Sequence, residues 1–257
     1  MSQHPIGALF HKAQPVRAPA DDAGGAGAHP FSLAAAMRSR LAAAVKSGPL
    51  AVIDVGTTKI ACALIEVSSR RSGADPLSGV KLRGVGHNRA RGLDMGAVTD
   101  LAAAETAIRA AVNQAEREAG LRAYQAMATL SGGFPRSQAA GAEIALSGAV
   151  VAQKDIAAVV EACRPPPLEE GRRVLDVAPV RWTVDGESGI RSPLGLSGKR
   201  LGVDLHVLSV SESAVRNLAH CLARADLEVA GVLSAPYACG LGVLTEEERE
   251  DGAAVVD

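Results

Sequence analysis

Aromatic residues are nearly missing from this chain: one Trp, two Tyr and three Phe in 257 residues. That excludes a single-strand nucleic-acid binder built on stacking platforms. An excess of positive charge is also lacking, since 27 Lys and Arg stand against 28 Asp and Glu. A protein that reads a phosphate backbone needs a basic footprint, so no nucleic-acid partner is expected. No apolar run approaches the roughly 20 residues that span a bilayer. The first 30 residues hold no apolar segment of the kind that opens a secretory signal. Cysteine is scarce and scattered, at Cys62, Cys163, Cys221 and Cys239. No pair has C-x-x-C spacing, so the four read as small buried hydrophobes in a reducing compartment. The six histidines make no H-x-x-x-H or H-E-x-x-H pattern, and no direct metal site is assigned.

What is present is an ordinary globular composition, 47% hydrophobic and 21% charged, enough for a packed core. At about 150 residues per domain the length predicts one or two domains. Residues 1–48 differ from the rest and read as a flexible extension. Gln14–Pro30 is Ala, Pro, Gly and Asp, with almost nothing to bury against its ordering entropy. Phe31–Lys46 then turns helical in spacing, and residues 1–48 carry five Lys or Arg against two Asp. A basic amphipathic segment can touch anionic lipid; the alternatives, a short leader helix or a plain disordered tail, stay open.

From Leu50 the pattern becomes β. Leu50–Val55 and Ile60–Val67 are apolar runs separated by Gly56-Thr-Thr-Lys59, which predicts a hairpin. Val80–Gly86 is a third strand. Leu101, Ala104, Ile108, Ala111, Val112 and Ala115 mark one face of a helix, capped by Thr99 or Asp100 and ended by Gly120. Gln125–Leu130 is strand again, 138–147 weakly so. A helix over Gln153–Cys163 stops at Pro165-Pro-Pro167. Val174–Val184 and Leu201–Val210 are strands, with Ser188–Lys199 a loop between them. Ser209-x-x-Glu212 has capping-box spacing before a helix with Val215, Leu218, Ala219, Leu222 and Ala225 on one face. Leu227–Leu233 reads as strand, Ala235–Leu244 as helix, and Ala253–Asp257 as the opening of a further strand at which the chain stops, hence as a truncated chain. Strands alternating with helices predict an α/β fold.

The sharpest motif is Asp54-Val-Gly-Thr-Thr-Lys59. Gly56 lets backbone N–H groups approach an anion, Thr57 and Thr58 offer hydroxyls, and Lys59 offers a point charge suited to phosphate. Asp54 at the strand end can hold a hydrated Mg²⁺ that bridges phosphate oxygens. The spacing is not that of a P-loop, and a strand follows instead of a helix. Asp, Gly and Thr also favour ordinary turns, so the six residues alone divide evenly between phosphate cradle and plain turn.

This hairpin resembles the first phosphate loop of the actin-like ATPase superfamily. Three further stretches narrow the resemblance: Arg91-Gly-Leu-Asp-Met-Gly-Ala-Val98, Ile190-Arg-Ser-Pro-Leu-Gly-Leu-Ser-Gly-Lys-Arg-Leu201, and Gly231–Arg249. Together they resemble the FtsA family of bacterial cell-division proteins over about Leu50–Asp257, with 190–201 the most specific part. The resemblance implies an actin-like, ribonuclease H-like subdomain 1A, here residues 49–123 and 209–257. It also implies an inserted α+β strand-helix-strand-strand subdomain 1C at 124–208, with the second lobe missing. It implies ATP with Mg²⁺ at Asp54, Gly56, Thr57, Thr58 and Lys59, and a second Mg-associated carboxylate at Asp257, the first residue of the second phosphate loop; this binding is expected of the full-length protein and weak or absent in the fragment alone. It implies an assembly scaffold with at most weak ATPase activity and no assigned catalytic residue. The implied partners are FtsZ through the missing lobe, the protein itself in a head-to-tail polymer, later division proteins through subdomain 1C, and the inner membrane through a missing amphipathic helix. The implied location is the cytoplasmic face of that membrane at the division site. Two other readings share the hairpin: a phosphotransferase related to sugar or acetate kinases, and a type IV pilus actin-like assembly adaptor. The 190–201 segment speaks against the latter, and the lack of a further cleft Asp speaks against the former.

Overall fold

The structure, a computed structural model, describes residues 30–68, 79–164 and 167–256. The chain divides into two compact units. One comprises residues 36–135 and 210–257, and the other includes 136–209.

The first unit is built on a five-stranded sheet in the order β11-β6-β1-β2-β3. β1 (Leu50–Val55), β2 (Lys59–Val67) and β3 (Val80–Arg89) form an antiparallel meander. β6 (Gln125–Leu130) and β11 (Glu228–Ser234) run parallel to β1. Alternation along β1 sends Ala51, Ile53 and Val55 to one face, all buried. That face carries α2 (Leu101–Ala119), whose Ala104, Ala107, Ile108, Ala111, Val112 and Ala115 are buried. The Asp100 carboxylate caps α2 by accepting from the N–H groups of Ala102 and Ala103, and Gly120 ends it in the left-handed region at φ 64°. β3 lies so close beneath α2 that a Cβ on Gly86 would sit 1.9 Å from the Ala111 carbonyl oxygen. The outer edge of β3 is not left bare. Glu118 accepts from the Val85 N–H at 2.8 Å and Gln114 from the His87 N–H at 3.2 Å, which blocks edge pairing.

Leu50, Val52 and Asp54 point to the opposite face. There α1 (Pro30–Ser47) buries Ala44 with Leu50 and Ala230, flanked by Leu41, Val45, Val52, Ile65 and Met127. The expected flexible extension therefore ends earlier than residue 48: an apolar stripe on 41–45 finds a sheet face to cover, which offsets its ordering entropy. Residues 1–29 lie outside the described residues. Two-residue strands β4 (Leu93–Asp94) and β5 (Ala97–Val98) form a small hairpin before α2. α4 (Glu212–Arg224), α5 (Ala235–Val243) and the short α6 (Glu246–Asp251) complete the unit.

The second unit has strand β7 (Arg136–Ala145), helix α3 (Gln153–Ala162), then β8 (Arg172–Val184), the short β9 (Glu187–Ile190) and β10 (Arg200–Ser211). Its sheet order is β7-β10-β8-β9. Leu201, Val203, Leu205 and Val207 alternate inward from β10 and pack with Val151, Ile156, Val159 and Trp182.

Several expectations are corrected here. The insert does not begin at Tyr124, because Gln125–Leu130 is a host strand between β1 and β11. A strand that pairs in parallel with β1, one face buried and the other half-buried, carries no mark that assigns it to one unit or the other. Part of the expected 188–199 loop is β9, paired to β8 through Trp182 and Ile190. The Ser209 capping box does not form. Ser211 occupies the cap position, and the Ser209 hydroxyl is engaged by the Arg172 Nε at 3.2 Å. The Arg172 guanidinium also donates to the Ser209 carbonyl at 2.7 Å. Ala253–Val256 is irregular, and Asp257 lies outside the described residues.

Candidate functional site

The β1–β2 turn is tight. The Gly56 N–H donates to the Lys59 carbonyl at 3.1 Å, and the Thr58 carbonyl accepts from the Ala90 N–H at 2.9 Å. A Cβ on Gly56 would lie 3.0 Å from that Lys59 oxygen, so glycine fits the bend best. The N–H groups of Thr57 and Thr58 take no part in these turn bonds. Asp54, Thr57, Thr58 and Lys59 are all exposed.

Asp54 is held by a residue outside the motif. The Thr129 hydroxyl, on the neighbouring parallel strand β6, donates to Asp54 Oδ1 at 2.6 Å and accepts from the Val55 N–H at 3.1 Å. At the end of the strand pair this hydroxyl stands in for a ladder carbonyl and fixes one carboxylate oxygen. Sequence reading passed over Thr129; its only signal is its place at the end of a strand that turned out to be the partner of β1.

Thr57 has a second task. Its Oγ1 accepts from the Gly96 N–H at 3.1 Å, tying the turn to the β4–β5 hairpin. Gly96, at φ 71°, in turn abuts Gly132, where a Cβ would lie 2.2 Å from the Met95 carbonyl oxygen and 2.6 Å from Gly96 C. The Arg91–Val98 and Ser131–Pro135 stretches therefore buttress the turn through backbone-to-backbone contact that only glycine permits.

The structure thus brings Asp54, Gly56, Thr57, Thr58 and Lys59 into one exposed hairpin. The Lys59 ammonium has no hydrogen-bond or ion-pair partner among the described residues. Free N–H groups, hydroxyls and an uncompensated ammonium beside an oriented carboxylate suit a hydrated cation with an anion.

In the second unit the 190–200 motif wraps onto residues before α3. Gly195 N–H donates to the Val151 carbonyl at 3.0 Å, Val151 N–H to the Leu196 carbonyl at 2.9 Å, and Gly198 N–H to the Ala149 carbonyl at 3.2 Å. The Asp185 carboxylate accepts from the Lys199 and Arg200 N–H groups at 2.9 and 2.8 Å. This rigid wrap leaves Val150, Leu194 and Leu196 partly exposed.

The thiols offer no chemistry in the buried regions. Burial pushes the Cys62 thiol up to about 12, with a smaller contribution from Glu116, and the Cys163 thiol up to about 11. Cys221 is raised for the same reason. Cys239 is exposed, against the expectation that all four are buried. Among the described residues no helix is long and apolar enough to cross a membrane.

Comparison with known proteins converges on one family. The family described as "SHS2 domain inserted in FTSA" matches residues 132–209, nearly the span of the second unit. The cell division protein FtsA of Agrobacterium fabrum is 38% identical over 216 residues, 82% of this chain and 48% of that protein. FtsA of Pseudomonas aeruginosa is 31% identical over 84% of this chain and 50% of its own length. FtsA of Escherichia coli K12 is 32% identical over 80% and 47%. The chain spans about half the length of these curated relatives. The solved PilM–PilN type IV pilus biogenesis complex superposes at a TM-score of 0.45 with 18% identity, over 74% of this chain and 48% of that one, a likeness too low to argue from. On its sequence and its inserted strand-helix-strand-strand unit, this chain belongs to the FtsA family of cell division proteins.

Proposed function

We propose that this chain supplies the first nucleotide-phosphate clamp and the partner-recruiting insert of an FtsA-type cell-division adaptor. The clamp takes ATP with Mg²⁺. Gly56 shapes the bend, and the Thr57 and Thr58 N–H groups and hydroxyls, with the Lys59 ammonium, would hold phosphate oxygens. Asp54, steadied by Thr129, would hold the hydrated cation, with Asp257 as the second carboxylate associated with it. Bound Mg²⁺ supplies charge neutralisation for the phosphates. The protein acts as a scaffold and not chiefly as an enzyme. It works on the cytoplasmic face of the inner membrane, in a self-assembling polymer that connects the FtsZ ring to that membrane. The insert, with its rigid 190–200 wrap, recruits later division proteins.

The observation that carries this reading is the hairpin Asp54–Lys59 itself, an unpartnered lysine in a glycine turn, within a stretch 38% identical to a cell division protein. The test is a Lys59→Ala substitution at the native gene. Filamentous cells with intact protein levels are expected. Normal division with normal septal placement of the variant refutes the nucleotide role.

A further inference from the structure

β2 and β3 set two cations directly opposite each other at the mouth of the hairpin. Their antiparallel register pairs Lys59 with Arg89, so both side chains leave the same face of the sheet. Both are exposed, and neither side chain has a hydrogen-bond or ion-pair partner among the described residues. Like charges directly opposite destabilise an antiparallel pair. The same two strands answer an arginine with an acid elsewhere: Arg83 on β3 meets Glu66 on β2 with Nε to Oε2 at 2.5 Å. The uncompensated pair lies instead beside the phosphate hairpin.

Register also fixes what lies next to it. Asp54 pairs with Ala61, and Ala61 with His87. Ala61 and Lys59 are two residues apart on β2 and share a face. Asp54, Ala61 and the exposed His87 therefore form the row behind the Lys59–Arg89 pair on the same side, with the small Ala61 methyl between the carboxylate and the imidazole. A ligand lying over Ala61 would meet the carboxylate on one side and the two basic groups ahead of it. The Thr58–Ala90 backbone bond locks the end of β3 to the turn, so Arg89 keeps its place relative to Gly56 and Thr57.

We infer that Arg89 is a second cationic contact of the phosphate site, and that the polyphosphate chain of a nucleotide is held between Lys59 and Arg89. This rests on the phosphate reading of the hairpin. A guanidinium can engage two oxygens of one phosphate, which the ammonium of Lys59 cannot do in the same planar geometry.

The test uses the 257-residue protein at low ionic strength with sodium tripolyphosphate as the probe, comparing wild type, Arg89→Gln and Lys59→Gln. Without ligand, Arg89→Gln should raise Tm by about 1–3 °C, because it relieves the repulsion. With ligand, the same variant should bind tripolyphosphate about tenfold more weakly. A purely structural arginine would not move these two readouts in opposite directions. Loss of affinity in Lys59→Gln with Arg89→Gln unchanged removes Arg89 and leaves the phosphate reading standing. If the wild type binds no tripolyphosphate, the inference and the phosphate reading fall together. If the wild type instead sediments with phosphatidylglycerol vesicles, and Arg89→Gln abolishes that while tripolyphosphate binding is unchanged, the pair serves a lipid headgroup and the inference is overturned.

Discussion

Replacing Thr129 with Val keeps the shape of the side chain and removes one hydroxyl that serves two partners. The Val55 N–H loses its acceptor at 3.1 Å, and Val55 is only 2% exposed. A buried donor left unmade costs about 1–3 kcal/mol. The Asp54 carboxylate also loses its donor at 2.6 Å, but it is exposed, so water can replace that bond and it adds little to stability. The expected loss is therefore about 1–3 kcal/mol, and each 1 kcal/mol lowers Tm by about 2–4 °C in a domain of this size. Thr129→Ser keeps the oxygen and should recover most of the loss. Urea titration of wild type and both variants gives the comparison, with slopes checked for equality. A Val variant as stable as the Ser variant would show that the hydroxyl neither satisfies Val55 nor anchors the site.

Removing residues 136–209 and joining Pro135 to Val210 with a Gly-Ser linker should leave a folded host, because the Gly133 carbonyl already accepts from the Ser211 N–H at 2.7 Å. Removing 124–208 should not, because it takes β6 out of the sheet; circular dichroism and cooperative melting decide both cases. Gly132→Ala should destabilise by about 1–3 kcal/mol, since the new methyl meets backbone at 2.2 Å, and unchanged melting would refute the buttress. An aromatic disulfide reagent should modify Cys239 alone in the native protein, and the contribution of the buried thiols to stability should be flat below about pH 9. Cys62 and Cys163 have folded pKa values raised above the ordinary 9.0, so their contribution is complete below that value and lost as pH rises toward about 11–12.

Much of this fold is written in local pattern. The helix over Leu101–Ala119 shows its apolar stripe, its Asp100 cap and its Gly120 stop within the segment itself, and all three form. The hairpin of β1 and β2 is equally local. What local pattern does not carry is partnership. Gln125–Leu130 reads as a strand but not as a strand of the host sheet, because parallel pairing with β1 joins residues some 75 apart. Ser209 has capping-box spacing, yet Arg172 binds its hydroxyl from across the inserted sheet. The candidate site divides the same way. Asp54 to Lys59 is contiguous and legible, whereas Thr129 and Arg89 join it only through strand register.

The central claim is that the Asp54–Lys59 turn holds nucleotide phosphate. Calorimetric titration of Mg-ATP into the wild-type protein, Thr58→Ala and Lys59→Ala tests it most directly. Charge-assisted hydrogen bonds of the kind removed contribute about 1.5–3 kcal/mol, so affinity should fall about ten- to a hundredfold in Lys59→Ala. Thr58→Ala should melt as the wild type does, because its side chain is exposed in a turn, and Lys59→Ala should melt at or slightly above the wild-type temperature, because it relieves the repulsion with Arg89. Equal Mg-ATP affinity in all three proteins would make the hairpin a turn and nothing more.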